Sequence, residues 1–136
     1  MDIYNLIFSH LDNVACTKDL LEAASYKSDK DFNKFKKRVD YEPEQILRYD
    51  RAGIPLWVSS QNRPKDIPNC PHCKGPRIFE FQVMPQLLNY AGKDAMEGDL
   101  DWGTVAVYTC KDNCVEGPAY KTEFCWRQDF KPDLKE

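Results

Sequence analysis

The sequence predicts an α+β fold: a small antiparallel β-rich domain with a four-cysteine zinc site, preceded by N-terminal helices. Three observations carry this. Two close cysteine pairs, Cys70/Cys73 and Cys110/Cys114, flank the central part of the chain. Three runs, 77–84, 104–109 and 120–128, alternate side-chain character at period two and are separated by turn residues, the pattern of an antiparallel sheet. Apolar residues at helical spacing are concentrated before residue 50, so the helices come first.

With 136 residues, the chain is long enough for one domain with its own core. A net charge of −3 and a pI near 5.4 weigh against a general nucleic-acid binder and suit a basic protein partner. No apolar run reaches the ~18–20 residues of a membrane span. The start, Met1-Asp2-Ile3-Tyr4, carries an acid where a secretory signal would be basic. The six cysteines are therefore read as thiols or metal ligands in a reducing compartment.

Residues 1–27 form an N-terminal helical segment: Ile3, Leu6, Ile7 and Leu11, then Leu20, Leu21 and Ala24 after Thr17 and Asp19, fall at helical spacing. Cys16 has no partner nearby in sequence and reads as a plain thiol. A domain follows over 28–130. Its first helix, 31–39, has an apolar stripe of Phe32, Phe35 and Val39, an acidic start and a basic end at Lys34, Lys36, Lys37 and Arg38. Pro43 suits a first helical position, so a second short helix is expected up to Tyr49. Ile54–Val58 has β character, and Pro55 makes it an edge strand. The polar, proline-bearing stretch 59–69 delivers the chain to Cys70. In the strand 77–84, Phe79, Phe81 and Val83 are expected on one face and Glu80 and Gln82 on the other. A helical turn follows over 86–90. Val105 and Val107 share a face of the next strand. Phe124 and Trp126 share a face of the last, with Cys125 opposite as a plain thiol. Residues 131–136 are a polar tail.

The cysteine spacings carry the strongest chemical signal. Cys70-Pro71-His72-Cys73 and Cys110-Lys111-Asp112-Asn113-Cys114 each place two thiolates in a tight turn, and two such turns supply the tetrahedral sulfur set of a structural zinc site. The 36 residues between Cys73 and Cys110 allow an out-and-back excursion. A thioredoxin-like reading of Cys-Pro-His-Cys is disfavoured, because a turn and a strand follow where redox motifs open a helix. His72, held between two ligands, points away from the site. The sequence shows no nucleophile–base pair, phosphate-cradling glycine loop or open metal site, and reads as a non-enzyme. The loop 93–101 gathers Asp94, Glu97, Asp99 and Asp101, a candidate surface for a basic partner, as is a sheet edge.

Five blocks are familiar in this order: Glu42-Pro-Glu-Gln-Ile-Leu-Arg-Tyr49, Cys70-Pro-His-Cys73, Arg77-Ile-Phe-Glu-Phe-Gln-Val-Met-Pro-Gln-Leu-Leu-Asn-Tyr90, Asp101-Trp-Gly-Thr-Val-Ala-Val-Tyr-Thr-Cys110 and Glu123-Phe-Cys-Trp-Arg-Gln128. From about Asp29 to Asp129 the chain resembles the C-terminal domain of the programmed cell death protein 2 family. The resemblance implies an adaptor of ribosome biogenesis in cytoplasm and nucleus, a dedicated chaperone that binds a newly made small-subunit ribosomal protein, and, more loosely, a link to cell death. Longer members also carry a MYND-type zinc finger. This sequence has no second cysteine-rich cluster, so contacts made through that finger do not carry over. The rival reading is a zinc-ribbon-like nucleic-acid-binding domain using the basic patch Lys34–Arg38. The acidic pI and the lack of a basic, aromatic strand make direct nucleic-acid binding the weaker reading.

Overall fold

The computed structural model describes residues 30–91 and 102–129. The segment expected to be helical over 1–27, Cys16, the carboxylates of the 94–101 loop and the tail 131–136 lie outside the described residues. Among the described residues one helix, α1 (Lys30–Tyr41), precedes four strands: β1 (Leu47–Tyr49), β2 (Arg77–Val83), β3 (Thr104–Cys110) and β4 (Phe124–Gln128). The strands form one antiparallel sheet in the order β1-β2-β3-β4. A 3-10 turn, Pro85–Tyr90, follows β2, where a helical turn was expected.

The helix α1 forms where its apolar stripe predicts. Phe32, Phe35 and Val39 are buried against Leu56, Val58 and Met84. Full burial of each such side chain stabilises by about 1.5–3 kcal/mol, so this stripe holds the helix to residues 56–58 and to Met84 just past β2. The expected second helix does not form. Pro43 lacks the N–H that would carry α1 onward, and residues 42–45 make a turn in which Gln45 N–H donates to Glu42 C=O at 3.1 Å. Leu47–Tyr49 then pair with Val83–Phe81 as β1. So short a helix is marginal alone, and a ladder to β2 outcompetes it.

The phase of β2 also departs from simple alternation. The register with β3 shifts between Phe79 and Phe81, a β-bulge at Glu80 that puts an extra residue on one strand. Phe79 and Gln82 therefore both face inward and are buried, whereas Glu80, Phe81 and Val83 lie on the outer face. In β3, Val105 and Val107 do share a face, the outer one, while Thr104, Ala106, Tyr108 and Cys110 are buried. In β4, Phe124 and Trp126 face inward and Cys125 and Arg127 are exposed. The rings of Phe79, Tyr108, Phe124 and Trp126 make a file across the inner face, with successive centroids 5.9, 5.9 and 6.5 Å apart.

The stretch 54–58 is extended but is not a strand. It crosses the inner face of the sheet, where no neighbouring backbone can complete a ladder. Glutamine side chains replace that ladder. Gln82 accepts from Leu56 N–H at 2.7 Å and donates to Leu56 C=O at 2.9 Å and to Thr104 Oγ1 at 2.9 Å. Gln128 accepts from Val58 N–H at 2.8 Å and donates to the carbonyls of Ser59 and Gln61 at 3.0 and 2.7 Å. Both amides are fully buried. Buried backbone groups left unpaired cost about 1–3 kcal/mol each, so each glutamine is worth more here than an apolar side chain of equal size. Gln82→Leu is expected to lower unfolding free energy by about 2–4 kcal/mol, read by urea denaturation. Exposed Lys37→Ala should change it by less than about 0.5 kcal/mol. A Gln82→Leu loss no larger than the Lys37→Ala change would overturn this account of the crossing segment.

Candidate metal centre

Because β2 and β3 are antiparallel, the chain enters β2 where it leaves β3. Arg77 pairs with Cys110, so the turn at 70–75 and the turn at 110–114 meet at one end of the sheet. Each is closed by a residue in the left-handed region, Lys74 at φ 63° and Asn113 at φ 47°. Asparagine tolerates that conformation better than most residues. Backbone bonds fix both turns: Lys74 N–H to Cys70 C=O and Cys70 N–H to Gly75 C=O, each at 2.9 Å, and Asn113 N–H to Cys110 C=O at 3.2 Å.

These turns bring together all four cysteines singled out from the sequence. The sulfurs of Cys70, Cys73, Cys110 and Cys114 lie within 4.8 Å of one another. Cys70 and Cys114 are 3.6 Å apart, as are Cys73 and Cys110. A disulfide needs about 2.05 Å, and none of these cysteines is bonded. Sulfurs about 2.3 Å from a tetrahedrally bound ion stand roughly 3.8 Å apart, so the quartet fits a metal ion at its centre. His72 and Cys125 are not among the clustered donors. The His72 ring sits instead against Gly117, whose φ is +82°; a Cβ on that glycine would come 2.4 Å from His72 Nδ1.

The electrostatics divide the four thiols. The backbone N–H groups of Cys73 and His72 aim at Cys70 Sγ and pull its pKa down to about 7. The N–H of Cys114, with that of Asp112, likewise lowers Cys110. Gly75 N–H donates to Cys73 Sγ at 3.3 Å and favours its thiolate, yet burial and the sulfurs of Cys110 and Cys70 leave this thiol above its ordinary value. Burial, with the neighbouring sulfurs, pushes Cys114 up to about 12. Two sites are thus prepared for negative charge, and two must give up a proton when a cation arrives.

Three cations that sequence reasoning did not single out support the centre. Lys121 Nζ donates to Cys114 C=O and lies 3.7 Å from Cys114 Sγ. Arg51, in the turn after β1, donates through one nitrogen to the carbonyls of Cys110 and Lys111 at 3.2 and 3.1 Å and to Asn113 Oδ1 at 3.1 Å. Arg77, at the start of β2, donates to the carbonyls of Pro68 and Thr122 at 3.3 and 3.2 Å. It also lies 3.4 Å from a Glu123 carboxylate oxygen. The Arg51 contacts and the Arg77–Thr122 bond link residues 45 or more apart in sequence, and the Lys121 and Arg77–Pro68 contacts follow no recognisable spacing, so the sequence carried no signal for them. The second group of candidates, Asp94, Glu97, Asp99 and Asp101, lies outside the described residues.

Comparison with known proteins supports the pattern of blocks in the sequence. The family described as "Programmed cell death protein 2, C-terminal putative domain" matches residues 29–129. Programmed cell death protein 2 of Bos taurus is 53% identical over 106 residues, covering 76% of this chain and 30% of that protein. The Rattus norvegicus protein of the same name is 45% identical over 133 residues, covering 95% of this chain and 38% of that protein. "Probable 20S rRNA accumulation protein 4" of Schizosaccharomyces pombe is 31% identical over 112 residues, 74% of this chain and 27% of that protein. The chain thus corresponds to well under half the length of these relatives. No solved structure matches it. With the family match spanning most of the sequence and including all four clustered cysteines, the chain belongs to the programmed cell death protein 2 C-terminal domain family.

Proposed function

We propose that this domain is a protein-binding adaptor of small ribosomal subunit biogenesis, a chaperone for a newly made small-subunit ribosomal protein, held together by structural zinc. The observation that carries the ribosomal part is the similarity to a protein named for 20S rRNA accumulation, within one family. The domain works in cytoplasm and nucleus, where such a client is made and assembled. Residues 28–130 are the working unit, with 1–27 and 131–136 as flanking segments and the carboxylates of the 94–101 loop as a contact for a basic client.

Zinc is the ion favoured by an all-sulfur donor set at tetrahedral spacing. Cys70, Cys73, Cys110 and Cys114 would hold it, and four protein ligands leave no position for substrate or water. The ion would supply cross-linking of two turns and no catalysis. The domain therefore acts by binding.

Three measurements test this reading. Chelation of the metal, or Cys70→Ser or Cys110→Ser, should unfold residues 70–128, because structural zinc contributes on the order of 10 kcal/mol in small domains. An unchanged near-UV circular dichroism spectrum after confirmed metal loss would speak against it. Metal affinity should also fall with acidity. Cys114, with a pKa of about 12, is protonated throughout the range from pH 8 to 6 and must release its proton on binding. The apparent association constant should drop by at least about tenfold per pH unit over that range, read by competition with a chromophoric chelator; a flat profile would contradict the ligand assignment. Affinity capture of the intact chain from actively growing cells should recover a small-subunit ribosomal protein. Recovery of none, or a salt-dependent gel shift with RNA in its place, would replace the chaperone reading with the nucleic-acid-binding one.

A further inference from the structure

We propose that the free edge of β1 is a docking site for an extended peptide segment that reads apolar–acidic–apolar. The proposal rests on the reading of this domain as a protein-binding module and supplies a surface and a partner chemistry for it.

The backbone makes the first half of the argument. Met84 N–H donates to Ile46 C=O at 2.9 Å, and Asp50 N–H donates to Glu80 C=O at 3.0 Å. With Arg48 opposite Gln82, the bonded positions of the antiparallel pair are residues 46, 48 and 50, and residues 47 and 49 turn their N–H and C=O groups away from β2. Among the described residues no strand lies beyond β1, and no backbone partner is found there for Leu47 or Tyr49. Edges of this kind are usually blunted by charge or proline. Here the side chains beside the open groups are apolar: Leu47 is 49% exposed and Tyr49 64% exposed. Both stand on the outer face, continuous with Val83 and Phe81 opposite them. Only an extended segment satisfies the backbone groups and covers these side chains together, which selects a strand over a helix as the occupant.

Alternation makes the second half. An added strand would place residues opposite Leu47 and Tyr49 on the outer face, where Leu47, Tyr49, Val83 and Phe81 are neighbours and the Tyr49 hydroxyl donates to Glu80. The residue between them, opposite Arg48, would point to the inner side. There the structure has a cleft of about 240 Å³ lined by Arg38, Tyr41, Glu42, Gln45 and Arg48 together with the apolar Leu56 and Met84. Arg48 is already engaged by Gln82 Oε1 at 3.1 Å and by Asp50 at 3.4 Å. Arg38 has no ion pair among the described residues. With Arg48 met by Asp50, Arg38 is the guanidinium of this lining left without an ion pair among the described residues, so a carboxylate is the complementary central side chain.

The test pans a phage-displayed library of random heptapeptides against the zinc-loaded full chain. Recovered sequences should share an acidic residue between two apolar ones, and the bound peptide should shift the backbone amide NMR signals of Leu47 and Tyr49. Leu47→Pro removes an outward N–H while leaving the bonds to β2 intact. It should weaken the recovered peptide at least about tenfold in fluorescence anisotropy, with thermal unfolding checking that the variant remains folded. Arg38→Glu, an exposed change on α1, should weaken it by about tenfold too, and a peptide with lysine at the central position should then regain the loss. That charge swap is a readout a merely structural role would not move. Recovery of no alternating sequence, equal binding by Leu47→Pro, or amide shifts at Leu47 and Tyr49 that track chain concentration without peptide (a second copy on the edge) would each overturn the proposal. Capture of a ribosomal protein by the wild type and the Leu47→Pro variant alike would remove this surface yet leave the chaperone reading standing. Peptide recognition at β1 without such capture would do the reverse.

Discussion

Four sulfurs held in contact without a bond between them are the constraint on which the rest of the domain depends. At this separation, two unit negative charges repel by about 4 kcal/mol even at an effective dielectric constant of 20. A quartet of thiolates would therefore drive its own turns apart. The structure answers in part with backbone N–H groups aimed at Cys70 and Cys110 and with Lys121 beside Cys114. A divalent cation at the centre would turn the remaining repulsion into attraction. The antiparallel pairing of β2 and β3 is what makes this arrangement available. It returns the chain to its starting point after the excursion between Cys73 and Cys110, with Arg77 opposite Cys110 as the last rung.

At the other end of the sheet the problem is polar groups of the opposite kind. A backbone segment crosses the inner face and brings N–H and C=O groups into a region sealed by α1. Gln82 and Gln128 meet them with amide side chains that carry donor and acceptor at once, as the backbone does. Leucine in their place would fill similar space and leave the crossing chain unpaired. The inner face therefore combines an aromatic file from Phe79 to Trp126 near its middle with a hydrogen-bonded seam, and α1 closes over the seam through Phe35 and Val39.

What could be read from the sequence follows from the range of each interaction. The helix 31–39, the strands β2, β3 and β4 and the turn after β2 are encoded by local spacing, and all were legible. The four cysteines were legible because turn spacing is itself the metal-binding signal. The inward placement of Gln82 was not. The bulge at Glu80 shifts the phase of β2 after Phe79, and no residue type announces an extra residue in a ladder. Gln82 and Gln128 look like solvent-facing strand residues until the crossing segment supplies their partners. The Ile54–Val58 stretch has the composition of a strand and the burial of one, at Leu56 and Val58, but lacks a neighbouring strand. The Glu42–Tyr49 block has helix-forming residues, yet three of them complete the sheet. Arg51 acts across a long sequence separation, where spacing carries no information, and Lys121 meets Cys114 through a loop whose path no residue pattern gives.

The contrast between the two edges of β1 bears on what a metal clasp at the cysteines would do. Along the edge that faces β2, β1 is over-determined. Asp50 and Ala52 N–H groups donate to the carbonyls of Glu80 and Phe79 at 3.0 and 2.8 Å, Arg48 is gripped by Gln82, and Arg51 reaches the second cysteine turn. A strand of three residues would ordinarily fray, since so short a ladder gives little against the entropy of ordering it. Here its far end is anchored through Arg51 to the part of the molecule that a metal ion would make most rigid. The order of β1 is therefore linked to the cysteine quartet through the Arg51 side chain, although β1 itself contains no cysteine. A rigid strand whose outer groups are left open is a template rather than a loose end, because a partner that pairs with it need not also supply the entropy of ordering it.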